Sequence, residues 1–132
     1  MEIIEKTTRI VAVDTETRTL ENYLPLFFNE NQYFITTKER VIEATEKLKP
    51  YLLILTSESK IETTREYLRR AKELKDKKHI KKICLITDIK TGALLKQSDL
   101  GIDIIMYRPI TELKIEHLRK NMNRSDLVEL IL

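Results

Sequence analysis

The sequence predicts an α/β sandwich in which one parallel sheet of five strands carries helices on both faces. Three observations support this. Short apolar runs such as 51-YLLIL-55, 83-ICLI-86 and 102-IDIIMY-107 are close to continuous, as strands covered on both faces must be. Stretches with helical period separate them. The chain has 132 residues, 42% of them apolar, which suits a single domain over residues 1–132 with a sizeable core.

The elements follow in order. The first strand is 9-RIVAV-13. Leu20, Tyr23, Leu24, Phe27 and Phe28 then recur at i, i+3, i+4, i+7 and i+8, an amphipathic helix that Pro25 should kink. The second strand, 33-YFIT-36, is followed by a helical stripe of Val41, Ile42, Thr45 and Leu48. The third strand, 51–55, feeds a helix carrying Ile61, Thr64, Leu68, Ala71 and Leu74, and Ser59 and Glu62 have capping-box spacing at its start. The fourth strand, 83–86, leads to a short helical segment within 91–100 that stops before Gly101. The fifth, 102–107, precedes a last helix from Thr111, with Leu113, Ile115, Leu118 and Met122 on or near its inner side. Residues 123–132 read as a C-terminal tail or the start of a linker. Ser125 can cap another helical turn, and the apolar ending LVELIL signals a docking surface, a dimer contact or a continuation of the chain.

Right-handed crossovers convert this order into a three-layer sandwich. Of the two common sheet orders, the dinucleotide-binding one is disfavoured. No G-x-G-x-x-G follows the first strand, no P-loop is present, and two glycines, Gly92 and Gly101, cannot build a phosphate cradle. The expected order is therefore the flavodoxin-like 2-1-3-4-5.

Composition excludes several functions. A net charge of +3 from 24 basic and 21 acidic side chains does not mark a dedicated nucleic-acid binder. Cys84, the single cysteine, lies within an apolar strand and reads as a buried free thiol in a reducing compartment. No segment reaches the roughly 18 apolar residues of a membrane helix, and no signal-peptide stretch opens the chain, so a cytoplasmic protein without membrane contact is expected. His79 and His117 fall on segments that read as solvated, and no Cys, His, Asp and Glu cluster has metal-ligand spacing. No metal and no cofactor are expected.

In this sheet order functional groups gather at the carboxyl ends of the strands. Those ends carry Asp14, Thr15 and Glu16; Thr56; Thr87 and Asp88; and Arg108 with Pro109. The landmarks 10-IVAVDTE-16, 49-KPYLLILT-56, 83-ICLITD-88 and 101-GIDIIMYRPI-110, in that order and spacing, resemble the receiver domain of two-component response regulators over residues 9 to about 122. The family's chemistry uses an acidic pair after strand 1 and an aspartate ending strand 3. Together they hold Mg²⁺, and the aspartate attacks a phosphohistidine to become an acyl phosphate. A hydroxyl residue after strand 4 and a lysine before a cis-proline after strand 5 complete the set.

The resemblance implies a degenerate version of that pocket. Asp14 matches the first acidic position, Thr15 replaces the second and Glu16 follows it. Thr56 stands in place of the phosphoacceptor and Thr87 matches the hydroxyl residue. Asp88 stands where the family has a tiny residue, Arg108 replaces the lysine and Pro109 is kept. Ile105 occupies the aromatic switch position. Ser57 and Glu58 lie beyond the expected strand end. A guanidinium can clamp a carboxylate bidentately, so Arg108 is expected to lock the pocket onto Asp14 or Asp88.

The implied function is a non-catalytic, non-phosphorylatable regulatory module that binds a protein partner or a second copy of itself. The implied contact is the face formed by helix 4, strand 5 and helix 5. Two alternatives stay open. One is a transcription-regulator fragment or nucleic-acid module that uses the basic segment 65–82. That segment's nine Lys and Arg residues read more simply as a solvated helix face laced by pairs such as Glu66 with Arg70. The other is small-anion or nucleotide binding at the strand carboxyl ends near Arg108.

Overall fold

The computed structural model describes residues 8–13 and 19–131. The elements are β1 (Ile10–Val13), α1 (Thr19–Phe27), β2 (Tyr33–Thr36), α2 (Val41–Leu48), β3 (Leu52–Thr56), α3 (Ile61–Asp76), β4 (Lys82–Thr87), α4 (Ile89–Leu95), β5 (Ile104–Tyr107), α5 (Glu112–Asn121) and β6 (Val128–Leu130), with a 3₁₀ turn at Glu30–Gln32 before β2. All strands are parallel, in the order β2-β1-β3-β4-β5-β6. The fold is a flavodoxin-like three-layer α/β sandwich. Among the described residues no helix is long and apolar enough to cross a membrane.

Strand alternation divides the core in two. Ile10, Ala12, Leu52, Ile54, Cys84, Ile86, Ile104 and Met106 face one side, where they pack with Leu20 and Leu24 of α1, Phe28 just past it, and Ile115 and Leu118 of α5. Val11, Val13, Leu53, Leu55, Ile83 and Leu85 face the other, against Val41 of α2, Leu68, Ala71 and Leu74 of α3, and Leu95 of α4. Each fully buried Leu or Ile contributes about 1.5–3 kcal/mol, so these two layers dominate the folding free energy. Cys84 is free and buried, and burial pushes its thiol well above the ordinary range, which leaves it inert.

The structure departs from the sequence reading at several places. The sheet has a sixth strand, because Val128–Leu130 of the expected tail pairs in parallel with β5 instead of running on as a linker or helical turn. Val128 and Leu130 point into the α1/α5 core while Glu129 points away, the period-2 pattern of a half-buried strand. The helix α3 starts on Lys60 without a side-chain cap, and Glu62 pairs with Arg65 instead of closing a capping box on Ser59. On α5, Ile115, Leu118 and Met122 just past it are buried as expected, but Leu113 is exposed and Lys114 takes the inner place. Burial of Lys114 is offset by two hydrogen bonds, its Nζ donating to the carbonyls of Tyr107 and Pro109 at 2.6 and 2.7 Å.

The helix α4 is held close to β5 by Gly92. A Cβ there would lie 2.6 Å from Cε1 of Tyr107. That ring cannot swing away freely, since it is buried and its hydroxyl donates to Glu129 Oε1 at 2.6 Å. Gly to Ala inside a helix normally gains about 1 kcal/mol. Here Gly92→Ala is expected to lose about 1–3 kcal/mol through overpacking. The loss should shrink in a Tyr107→Leu background, as read by urea denaturation. Equal effects of Gly92→Ala in the two backgrounds would refute this packing account.

Candidate functional site

Four adjacent strands, β1, β3, β4 and β5, end at one edge of the sheet. The geometry places Thr56 as the last residue of β3, Thr87 as the last of β4 and Asp88 directly beyond it, with Arg108 and Pro109 directly after β5. Asp14, Thr15 and Glu16 lie outside the described residues. The peptide between Arg108 and Pro109 is cis.

The loops that leave these ends are stitched together by the backbone. Ser57 N–H donates to the Ile86 carbonyl at 2.9 Å, and Arg108 N–H donates to the Thr87 carbonyl at 2.9 Å. The Arg108 guanidinium then spans from β5 to the β3 loop. It donates to Ser57 Oγ at 3.3 Å and to the Ser57 carbonyl at 3.4 Å. It does not form the expected carboxylate clamp on Asp88. The reason is that Asp88 is already engaged as the N-cap of α4, accepting from Thr91 N–H at 2.7 Å and from the Thr91 hydroxyl at 3.2 Å. The Thr91 N–H is the main influence holding the Asp88 carboxyl below the ordinary range, and the Arg108 charge adds a smaller effect.

Another acid near this edge, Glu58, is also committed. It pairs with Lys38 at 3.3 Å, while its backbone N–H donates to Thr64 Oγ1 at 2.8 Å. Thr87 is fully buried, and its hydroxyl has no hydrogen-bond partner among the described residues. Among the described residues, the groups at this edge are thus hydroxyls, a guanidinium and carboxylates spent on caps and ion pairs. No group of three or more His, Cys, Asp or Glu side chains among the described residues could hold a metal ion.

Two arrangements escaped the sequence reading. Lys114 anchors the loop after β5, and burial lowers its pKa. No sequence signal marks it apart from a lysine falling on the inner stripe of α5. The second is a cluster joining β5, α4 and β6. Tyr107 donates to Glu129, and Lys96 at the end of α4 reaches the same carboxylate at 3.2 Å. Burial, helped by Glu129, raises the Tyr107 phenol to about 12, and the Tyr107 hydroxyl in turn lowers the Glu129 carboxyl.

Within α3 the cations of the basic segment are largely ion-paired, whereas Lys77, Lys78, Lys81 and Lys82 beyond the helix form no ion pair among the described residues. Arg65 meets Glu62, Arg69 meets Glu66 in place of the expected Glu66–Arg70 pair, Lys72 meets Asp99 and Lys75 meets Asp103. A helix with its cations so engaged is a poor phosphate-tracking surface.

Replacing Lys114 with Met should cost about 1–3 kcal/mol, because the carbonyls of Tyr107 and Pro109 would lose their donor. Unchanged urea stability would contradict the anchoring role. A pH dependence follows from Asp88 and Glu129, whose folded values lie below their ordinary 3.8 and 4.5. A carboxyl depressed by folding binds its proton more readily when unfolded, so the stability it confers is present above those values and is lost as pH falls through the folded ones. The double variant Asp88→Asn, Glu129→Gln should show a shallower acid limb in denaturation below about pH 4.

No protein-family model matches the chain, and a search among curated proteins finds no match.

Proposed function

We propose that the chain is a receiver-like regulatory module that works through protein contact and does not undergo phosphotransfer. The observation that carries this reading is the end of β3, where Thr56 supplies a hydroxyl at the position that needs a carboxylate nucleophile. A threonine hydroxyl cannot form an acyl phosphate. The neighbouring Arg108 is spent on Ser57, which ties the β3 and β5 loops into one arrangement without a phosphoryl group.

The contact surface lies along the β6 edge of the sheet. Exposed apolar side chains gather on the elements there: Ile89 and Leu94 on α4, Leu113 on α5, and Leu127 and Ile131 flanking β6. β6 now covers the β5 edge, so the expected contact through helix 4, strand 5 and helix 5 becomes one through α4, β6 and α5. A three-residue parallel edge strand with apolar flanks is the kind of surface that a second copy can cover. Such a contact is a symmetric self-association.

Two measurements test the reading. Acetyl phosphate or beryllofluoride with Mg²⁺ should leave the amide NMR spectrum unchanged, whereas an Mg²⁺-dependent shift at the strand carboxyl ends would overturn it. Sedimentation should show concentration-dependent self-association that Leu94→Glu together with Ile131→Glu abolishes. A wild-type chain that stays monomeric to millimolar concentration would rule out the homodimer.

A further inference from the structure

The opposite edge of the sheet carries a feature that the regulatory reading does not use. The amino ends of β1, β3 and β4 lie side by side, and a cavity of about 360 Å³ opens against them. Three short segments line it: Thr8 and Arg9 before β1, Lys49 to Tyr51 before β3, and Lys78 to Lys81 before β4. In sequence these segments are far apart. The β1-β3-β4 neighbourhood of the sheet brings them together.

Their chemistry is one-sided. Arg9, Lys49, Lys78 and Lys81 give the cavity four cationic side chains, and no Asp or Glu is among its described lining residues. None of the four takes part in an ion pair among the described residues. Elsewhere the fold neutralises its cations readily, as along α3. Beneath the charged rim lie Pro50 and Ile80, both buried, and the half-buried ring of Tyr51. His79 in the same wall keeps a buried Nδ1 without a hydrogen-bond partner, a deficit that a native fold rarely leaves unexplained.

The backbone adds an independent sign. Lys49 and Lys78 are the two non-glycine residues with left-handed backbone among those described, at φ 47° and 64°. Lys49 follows α2, and Lys78 lies in the turn after α3. Glycine is the residue that such positions favour, because a Cβ is strained there. A cation beside a helix C-terminus is favourable, which accounts for either lysine alone. It does not account for both sharing one cavity with Arg9 and Lys81 and no carboxylate. The two helix ends contribute only about half a negative charge each, which leaves the four cations in excess.

We propose that this cavity binds a small phosphorylated ligand with a flat apolar body, a mononucleotide in size and chemistry. The four cations would hold the phosphate, and Tyr51, Pro50 and Ile80 would receive the apolar part. Side chains must do the recognition. The N–H groups of Lys49, Lys78, His79 and Lys81 are already bound to the carbonyls of Thr45, Lys75, Leu74 and Tyr51. The volume lies near the lower end of the roughly 300–1,000 Å³ range of small-molecule sites.

The test uses AMP, adenosine and inorganic phosphate as probes on the full chain, read by amide NMR shifts and calorimetry. AMP should perturb Tyr51, His79, Ile80 and Lys81 selectively and bind at least tenfold more tightly than either adenosine or phosphate. The variants Lys49→Gly and Lys78→Gly remove a charge while relieving the left-handed strain. Each should keep or raise thermal stability yet weaken AMP binding by roughly tenfold, the worth of one charge-assisted hydrogen bond. Wild-type affinity for AMP in both variants would overturn the proposal, as would an equal response to phosphate and AMP. Shifts centred on Arg108 at the other edge, or no shift with any probe at millimolar concentration, would overturn it too.

Discussion

Burial of both faces of a parallel sheet is the constraint on which the rest of this molecule depends. Apart from Thr87 at the end of β4, every fully buried residue of β1, β3, β4 and β5 is apolar, since each face is sealed by helices. Polar chemistry is thereby driven to the two edges where strands begin and end. Thr87 is the exception at the boundary: at the last position of β4 it is fully buried, and its hydroxyl has no partner among the described residues. One residue further on, Asp88 is exposed and caps α4. The boundary between core and site is a single peptide.

The same constraint decides what was legible in the sequence. β3, β4 and β5 could be read directly because doubly covered strands are continuous apolar runs, and Thr56, Thr87, Asp88, Arg108 and Pro109 followed as their ends. β6 could not. It has three residues, one of them Glu129, and its pairing depends on β5 and on partners as distant as Lys96 and Tyr107. A short strand whose reasons for pairing are all tertiary reads as a tail. Lys114 misled for a similar reason. Lysine belongs on a solvated stripe until two carbonyls from the loop after β5 are brought within reach of its Nζ. Of the two partners expected for Arg108, Asp14 lies outside the described residues and Asp88 is taken up by the local cap of α4, while the long guanidinium reaches Ser57.

The two edges differ in charge, and topology explains how. Strand carboxyl ends face helix N-termini, where caps such as Asp88 and Thr111 belong. Strand amino ends face helix C-termini, where cations are favoured. A parallel α/β layer is thus polarised before any site is built on it. At the carboxyl edge β3 ends on a hydroxyl residue, Thr56. The amino edge has gathered basic side chains from three separate segments around one cavity.

That asymmetry also limits what a resemblance can say. The strand-end landmarks bear on the carboxyl edge alone, and if Thr56 cannot accept a phosphoryl group, the two-state switching such a pocket would drive loses its input there. A regulatory module still needs something to bias it, either a partner or a ligand with different affinities for its states. The Tyr107–Glu129–Lys96 cluster ties β5, α4 and β6 together, so a change at the β6 edge would be felt in α4. At the far edge, Lys49 and Lys78 occupy the turns that follow α2 and α3, so ordering them around an anion would act on those helix ends. Both routes couple to the helices on one face of the sheet, α2 and α3 from one end and α4 from its side. The packed layer they share is the physical means by which a site at one edge could alter a surface at another.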